Sequence, residues 1–362
     1  MSVTQQQIAD KLQISRSLVA MALKGHASVA VGTQERVREA ARELGYDENS
    51  NHAARQLINK RYGGRVRTNT IAVVFPPLGL APRRIPFFTP LIEGMEAAGE
   101  ALDLDICVCL MRSDNLPRLI QTNSVDGVIV LGEVAQHIDT IQERGMPVVA
   151  FQNIEKGENV HSIARDDRLG AYQATLHLLE LGHRQIAFLG IANEPASELR
   201  QLGYRDAMQQ AGVAVRREWI DCSFGLPPTP TDSYCSGCRQ CAACRGWEAL
   251  RDKNGGSPGR RPDFTAVVCH NDPVAMGVID HAQRDGLAVP RDLSVTGFDD
   301  ISSQYQFYPE VTSIRFPRKE MGEYAVQLLH QVIEVGDTSR FDHRVFPTEL
   351  VIRQSTSVPL TS

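Results

Sequence analysis

Little in this 362-residue sequence announces a function outright. No apolar run approaches the roughly 20 residues a membrane-crossing helix needs; stretches such as 71–75 and Gly127–Leu131 stop at five. The opening MSVTQQQIAD lacks both a basic n-region and an apolar core, which predicts no secretory signal. Aromatics make up only 6%, and no low-complexity tract dominates. There is no P-loop, dinucleotide fingerprint or zinc-protease helix, and the ten histidines show no triad or ligand spacing. Gly255-Gly256-Ser257-Pro258-Gly259 fits G-x-S-x-G on paper. Its flanks read as a loop, whereas a nucleophile elbow needs a strand before and a helix after. These absences make membrane, secreted and disordered classes poor readings and give no enzyme signature. They predict a cytoplasmic chain with no membrane partner.

The modest net charge of -5 hides an asymmetry. Residues 1–67 hold 11 Lys or Arg against 6 Asp or Glu, a balance of +5, so the remainder carries -10. A basic head on an acidic body suits a head that meets an anionic polymer. Three short helices are predicted there. Thr4 caps the first, with Gln7 completing a capping box, and Ile8, Ala9 and Leu12 form its apolar stripe. After a turn at Gln13-Ile14, Ser15 caps a second helix with Leu18, Val19, Ala22 and Leu23, stopped by Gly25. Thr33 caps a third, which runs through Val37, Ala40, Ala41 and Leu44 to Gly45. Helix, tight turn, helix with a third helix closing the core is the helix-turn-helix plan; a helical dimerisation or peptide-binding head is the alternative.

Beyond the basic stretch 60–67 the pattern changes to short apolar strands alternating with amphipathic helices. Strands are predicted at 70–75, 104–109, 127–131, 147–151, 186–189, 265–269 and 293–297. Helices are predicted at 90–102, 135–144, 167–181, 198–210 and 273–284. Such alternation implies parallel sheets covered on both faces, in two doubly wound lobes with a ligand cleft at the strands' carboxyl ends.

Two sets of residues carry a resemblance. In the head, TQQQIADKLQISRSLVAMALKG is followed by Leu44-Gly45-Tyr46, Asn51, Ala54-Arg55 and Leu57. In the body stand PFFTPLIEGMEAAGE, VDGVIVLG, DDRLGAYQATLHLLELGHRQIAFLG, RQLGYRDAMQQAG, HNDPVAMGVIDHAQRDGLAVPRDLSVTGFDDI and PEVTSIRFPRKEMGEYAVQLL. Together they resemble the lactose-repressor family of bacterial transcription regulators over nearly the whole chain.

The resemblance implies a helix-turn-helix domain over residues 1–48, a hinge helix and linker over 49–68, and an effector-binding and dimerisation domain over 69–355. That domain would have the two-lobed α/β fold of type I periplasmic binding proteins, preceded by the small all-α head. The first lobe is placed at about 69–164 and 316–336, the second at about 165–314 and 337–355, with crossings near Ala164, Arg315 and Gly336. The implied function is a sequence-specific DNA-binding regulator, a homodimeric repressor of double-stranded operator DNA controlled by a small effector, a sugar or other carbohydrate. The DNA-contacting set is Thr4, Arg16, Ser17, Met21, Lys24, Asn51, Arg55 and Leu57. Arg16 suits a bidentate guanine contact, Met21 offers only apolar contact where relatives often carry Arg, and Leu57 stands where the family wedges a Leu into the minor groove. The effector set is Phe87, Phe88, Asp166, Arg200, Phe224 and Asp272, since an Arg flanked by carboxylates and aromatic faces suits a sugar. Core packing for the phenylalanines, helix capping for the two aspartates and a surface ion pair for Arg200 are the competing roles. Asp299-Asp300 matches a segment that the family uses structurally at a strand end.

One feature departs from the family. Cys235, Cys238, Cys241 and Cys244 follow one another at C-x2-C-x2-C-x2-C spacing, half of the chain's eight cysteines. Thiolates so spaced suit zinc or an iron–sulfur cluster. On one continuous helix they would spiral round the axis and could not close on one ion, so redox-active thiols and plain packing stay open. No cofactor is required by the regulator reading. The rival function is a cytosolic metal or redox sensor signalling through this cluster. Cys107, Cys109 and Cys269 lie in strand patterns and are expected in the core.

Overall fold

The computed structural model describes residues 5–23, 29–44, 67–76, 85–111, 115–151, 159–222, 242–257, 259–305, 307–336 and 341–360. The chain divides into two units, Met1–Arg67 and Thr68–Ser362.

In the first unit, α1 (Gln5–Leu12), α2 (Arg16–Leu23) and α3 (Val31–Leu44) close on Ile8, Ala9, Val19, Ala22, Val29, Val37, Ala40 and Ala41, all buried. α1 ends at Gln13, which adopts a left-handed φ of 52°, and the Ile14 amide returns to the carbonyl of Ala9 at 3.1 Å. Ser15 Oγ accepts from the Leu18 amide at 3.2 Å and so caps α2. Thr33 does not cap α3. The helix begins two residues earlier, and the Ala30 carbonyl accepts from the amides of Thr33 and Gln34. A backbone carbonyl leaves no cap signature in the side chains, so Thr33 misplaces the helix start.

The second unit holds two six-stranded sheets among the described residues. The first is built from β1 (Thr70–Phe75), β2 (Asp105–Leu110), β3 (Gly127–Leu131), β4 (Val148–Phe151), β5 (His161–Arg165) and β11 (His343–Phe346), in the order β11-β5-β4-β3-β1-β2, all parallel. The second contains β6 (Ile186–Leu189), β7 (Ile220–Asp221), β8 (Ala266–Cys269), β9 (Ser294–Phe298), β10 (Thr312–Arg315) and β12 (Glu349–Val351). Its order is β12-β10-β9-β8-β6-β7, parallel except for β12 against β10. β3, β6, β8 and β9 are buried along their whole length, as strands covered by helices on both faces must be. All seven predicted strands are present to within a residue at either end.

The helices of this unit are α4 (Thr89–Ala101), α5 (Arg118–Gln121), α6 (Ile138–Gln142), α7 (Asp167–Glu180), α8 (Pro195–Gln210), α9 (Ala242–Lys253), α10 (Asp272–Arg284) and α11 (Arg318–Val335). α8 starts at Pro195, three residues before the predicted Glu198, because proline is already set for a first helical turn. The predicted helix 135–144 is a 3₁₀ turn, Gly132–His137, leading into the short α6. α7 and α8 approach so closely at Gly203 that a Cβ there would lie 2.9 Å from the Arg168 carbonyl carbon and from the Tyr172 nitrogen. α4 and α11 meet in the same manner through Gly94 and Gly322.

The chain crosses between lobes three times. It leaves β5 at Arg165 and enters α7, which packs on the second sheet; it leaves β10 at Arg315 and enters α11, which packs on the first. The third crossing falls at Pro347-Thr348, between β11 and β12, and not at Gly336. Gly336 is the left-handed C-cap of α11, with φ 65°, so the glycine marks a helix end inside the first lobe. Residues 343–346 therefore belong to the first lobe, paired with β5, and the boundary assigned to 337–355 is corrected accordingly. No helix among the described residues is long and apolar enough to cross a membrane.

Candidate functional site

In the head, α2 turns Val19 and Ala22 into the core, and its outer face carries the residues expected to read DNA. Arg16 and Ser17 are exposed in its first turn, with Ser17 Oγ 3.0 Å from Ser15 Oγ, and Met21 is exposed one turn later. One helix face thus presents a guanidinium, a hydroxyl and a thioether together. Thr4, Lys24, Asn51, Arg55 and Leu57 lie outside the described residues.

In the body, a buried polar cluster forms where the first two crossings meet the ends of β5, β9 and β10. Arg200, on the second turn of α8, is 2% exposed. Its Nε donates to Asp167 Oδ1 at 2.8 Å, Nη2 lies 2.7 Å from the same oxygen, and Nη1 donates to the carbonyl of His270. The guanidinium stacks 3.7 Å from the centroid of Phe298. Arg165 reaches the same Asp167 oxygen through Nε at 3.0 Å. Two cations sharing one carboxylate in a dry site need further negative charge close by. Asp299 supplies it, with Oδ1 3.9 Å from Arg200 Nη2. That oxygen is buried and accepts no hydrogen bond, and the Asp299 backbone is left-handed at φ 97°. Burial pushes the Asp299 carboxyl up, against the pull of Arg200, Arg165 and Arg318. Burial and the two nearest arginines hold His270 well below the usual histidine range, hence neutral.

Only some of the expected effector residues meet in this cluster. Arg200 is at its centre. Phe87 packs on Phe316 with centroids 6.0 Å apart, and the guanidiniums of Arg165 and Arg318 both lie 5.9 Å from its ring. Phe88 lies edge-on to Phe75 at 5.0 Å and to Phe87 at 4.9 Å, and packs against the core. Asp166 caps α7 by accepting from the Leu169 amide at 2.8 Å, and its neighbour Asp167 is the carboxylate that meets the arginines. Asp272 is not the cap of α10, a role Asn271 fills by accepting from the Val274 amide. Nor is its carboxylate open to a ligand. Oδ2 accepts from the amides of Ile301 and Ser302 at 2.6 and 3.0 Å, and Oδ1 from Ser313 Oγ. Burial nevertheless pushes its carboxyl up to about 7. Asp272 is thus a positioning residue that fixes the turn carrying Asp299. Phe224 lies outside the described residues.

Asp299, Asp167, Arg165 and Arg318 were missed as site residues. Asp300 does play the structural part expected of the pair, holding Arg315 and Arg353. The left-handed turn aims its neighbour elsewhere, and no side-chain pattern records that. A cavity of about 620 Å³ opens at the second and third crossings, lined among others by Pro90, Phe316, Arg318, Pro347 and Thr348. It shares only Phe316 and Arg318 with the cluster.

The G-x-S-x-G match and the metal reading can be compared with the described residues. Ser257 follows a helix, α9, and sits in a tight turn in which the Arg260 amide donates to its carbonyl at 2.8 Å, so there is no nucleophile elbow. No group of three His, Cys, Asp or Glu is placed to hold a metal among the described residues. Cys235, Cys238 and Cys241 lie outside them; Cys244 falls within the backbone of α9. Cys269 is buried, while Cys107 and Cys109 on β2 are only half-buried, with burial pushing the Cys109 thiol up to about 11.

Comparison with known proteins matches residues 68–223 to a family described as periplasmic binding proteins and sugar binding domain of LacI family. Residues 175–356 match a periplasmic binding protein-like domain. The chain is 30% identical to the HTH-type transcriptional repressor CytR of Escherichia coli (strain K12), over 98% of this chain and 96% of that protein. It is 28% identical to catabolite control protein A of Priestia megaterium, over 98% of this chain and all of the other. Among solved structures, the lac repressor dimer bound to operator and the anti-inducer ONPF superposes with a TM-score of 0.75 at 21% identity, covering 99% of this chain and 100% of that one. The transcriptional regulator CelR–cellobiose complex gives 0.68 at 24% identity, covering 98% and 99%. At those identities the two structures show the fold.

Proposed function

The chain belongs to the LacI family of transcription regulators, and from that premise we propose that it is a homodimeric repressor whose hold on operator DNA is set by a carbohydrate bound between its lobes. The observation that carries the effector reading is the buried Oδ1 of Asp299, which lies beside Arg200 and accepts no hydrogen bond. A buried acceptor without a donor is costly, and a ligand hydroxyl removes that cost at the point where the lobes join. A ligand that holds this cluster in one arrangement favours one relation of the lobes over another, which is how an effector alters binding elsewhere in a chain. The lac repressor dimer on operator and the CelR–cellobiose complex support DNA and a sugar as the partners. The relatives act as transcription regulators and not as enzymes, which supports a cytoplasmic, non-catalytic role. The same family membership favours this reading over signalling through Cys235–Cys244.

The test joins a thermal-shift screen of sugars and their derivatives to fluorescence anisotropy on an operator selected from a random-sequence library. A stabilising ligand is expected to change operator affinity 5- to 150-fold, the usual range of such coupling. If residues 68–362 alone bind the selected DNA as tightly as the full chain, or no stabilising ligand alters DNA binding, the reading fails.

A further inference from the structure

The cluster at the crossings holds one acceptor without a donor and two guanidiniums that are only partly engaged. Asp299 is 6% exposed, its Oδ1 accepts nothing from the protein, and its left-handed backbone is the kind of local strain that persists at binding sites. Arg165 uses Nε on Asp167 and leaves its two terminal nitrogens without a protein acceptor among the described residues. Arg318 gives Nη1 to the carbonyl of Asp299 and has no carboxylate within 4.0 Å among the described residues. The two guanidiniums flank the same aromatic pair. Arg165 lies 5.9 Å from the Phe87 ring and 5.3 Å from that of Phe316, and Arg318 lies 5.9 and 5.5 Å away.

The neighbouring carboxylates are engaged. Asp272 already takes three donors, Asp300 is held by Arg315 and Arg353, and Asp167 is shared with Arg200. Glu194 adds attraction to Arg165. A neutral sugar would satisfy Asp299 and leave both forks to water. An inorganic anion would satisfy the forks and leave Asp299 orphaned. A molecule with both groups meets the whole cluster.

Resting on the effector reading above, we infer that the effector is an anionic sugar derivative, its acidic group held by Arg165 and Arg318 and one of its hydroxyls donating to Asp299 Oδ1. The planar guanidinium fork fits the paired oxygens of a carboxylate or a phosphate equally well, so sugar acids and sugar phosphates share the recognising chemistry.

The full chain is assayed by thermal shift and titration calorimetry with D-gluconate, D-glucuronate, glucose 6-phosphate and ribose 5-phosphate, beside glucose, ribose and inorganic phosphate. At least one anionic sugar is expected to bind ten-fold or more tightly than its neutral parent, and whether it is a carboxylate or a phosphate identifies the source. Arg318→Gln should bring that ligand to the level of the parent. Arg165→Gln serves the same purpose if Arg318→Gln loses its cooperative melt. The inference is overturned if no anionic sugar stabilises the chain, if the neutral parent or inorganic phosphate binds as well, or if neither variant weakens binding. An anionic sugar that binds as expected yet leaves operator affinity unchanged would sink the effector reading and leave the anion site standing.

Discussion

Replacing Gly203 by alanine disturbs the geometry of the cluster without removing any group from it. In an exposed helix interior this change gains about 1 kcal/mol from the better helix former. Here the new Cβ meets the carbonyl carbon and oxygen of Arg168 and the nitrogen of Tyr172, all backbone, so no rotamer change can relieve the contact. α7 and α8 must separate, and overpacking of this sort costs about 1–3 kcal/mol, more where only backbone can move. With the helix gain offset, a net loss of about 2 kcal/mol is expected. At about 2–4 °C per kcal/mol the body should melt several degrees lower. The separation also pulls Arg200 from Asp167, whose contacts of 2.7–2.8 Å span these two helices. Ligand response should therefore weaken along with stability, while DNA binding by the head is retained. Gly32→Ala in α3 is the control, because nothing lies within 4 Å of the added carbon. Calorimetric melting of both variants, with urea titration as a second probe, decides the matter. If Gly203→Ala melts at or above the parent temperature and keeps its ligand response, the close-approach argument is wrong.

Asp272→Asn should flatten the pH dependence of the body's stability. The folded-state carboxyl is raised to about 7 from 3.8, so its favourable contribution is full below pH 3.8 and is lost as pH rises through about 7. At about 1.4 kcal/mol per unit this is worth about 4 kcal/mol, readable in urea midpoints from pH 4 to 8; an unchanged profile in the variant would contradict it. Arg16→Ala should weaken operator binding by about 1–3 kcal/mol and relax selectivity at one base pair, whereas a uniform loss across sequences would mean a phosphate contact. Leu57→Ala should weaken selected operator far more than random DNA, and equal weakening would argue against a minor-groove wedge. If Cys235, Cys238, Cys241 and Cys244 bind metal, anaerobically purified protein should contain zinc or iron that Cys238→Ser with Cys241→Ser releases; metal-free protein would reject the site.

The strands with continuous apolar runs were legible because burial on both faces leaves one composition, as in β1 and β3. β5 (HSIAR) and β11 (HRVF) were not, since each mixes histidine and arginine into a short segment, and β11 pairs, among the described residues, only with β5, far away in sequence. In the site, Arg200 was legible from its block, and the choice between Asp166 and Asp167 was not. Adjacent acids look alike until the helix start is known, and the one that caps the helix is then not the one that enters the cluster. Asp299 was hidden for a related reason. Its role depends on a left-handed backbone and on Asp272 holding the next turn, and both are properties of three-dimensional neighbours.

The late return of the chain to the first lobe bears on how the protein is made. β1 to β5 leave the ribosome early, yet the apolar side chains of α11, Met321, Ala325, Val326, Leu329 and Val332, complete the same core as Ile71, Val73, Ile129 and Val149. The outer partner of β5, β11, follows later still. Until residues 318–346 have been translated, the nascent first lobe carries a bare hydrophobic face and an unpaired strand edge, both invitations to aggregation. A gene fragment ending at Arg165 would inherit that defect permanently. A circular permutant that encodes 318–346 directly beside 68–165 would let this lobe close before the other is synthesised.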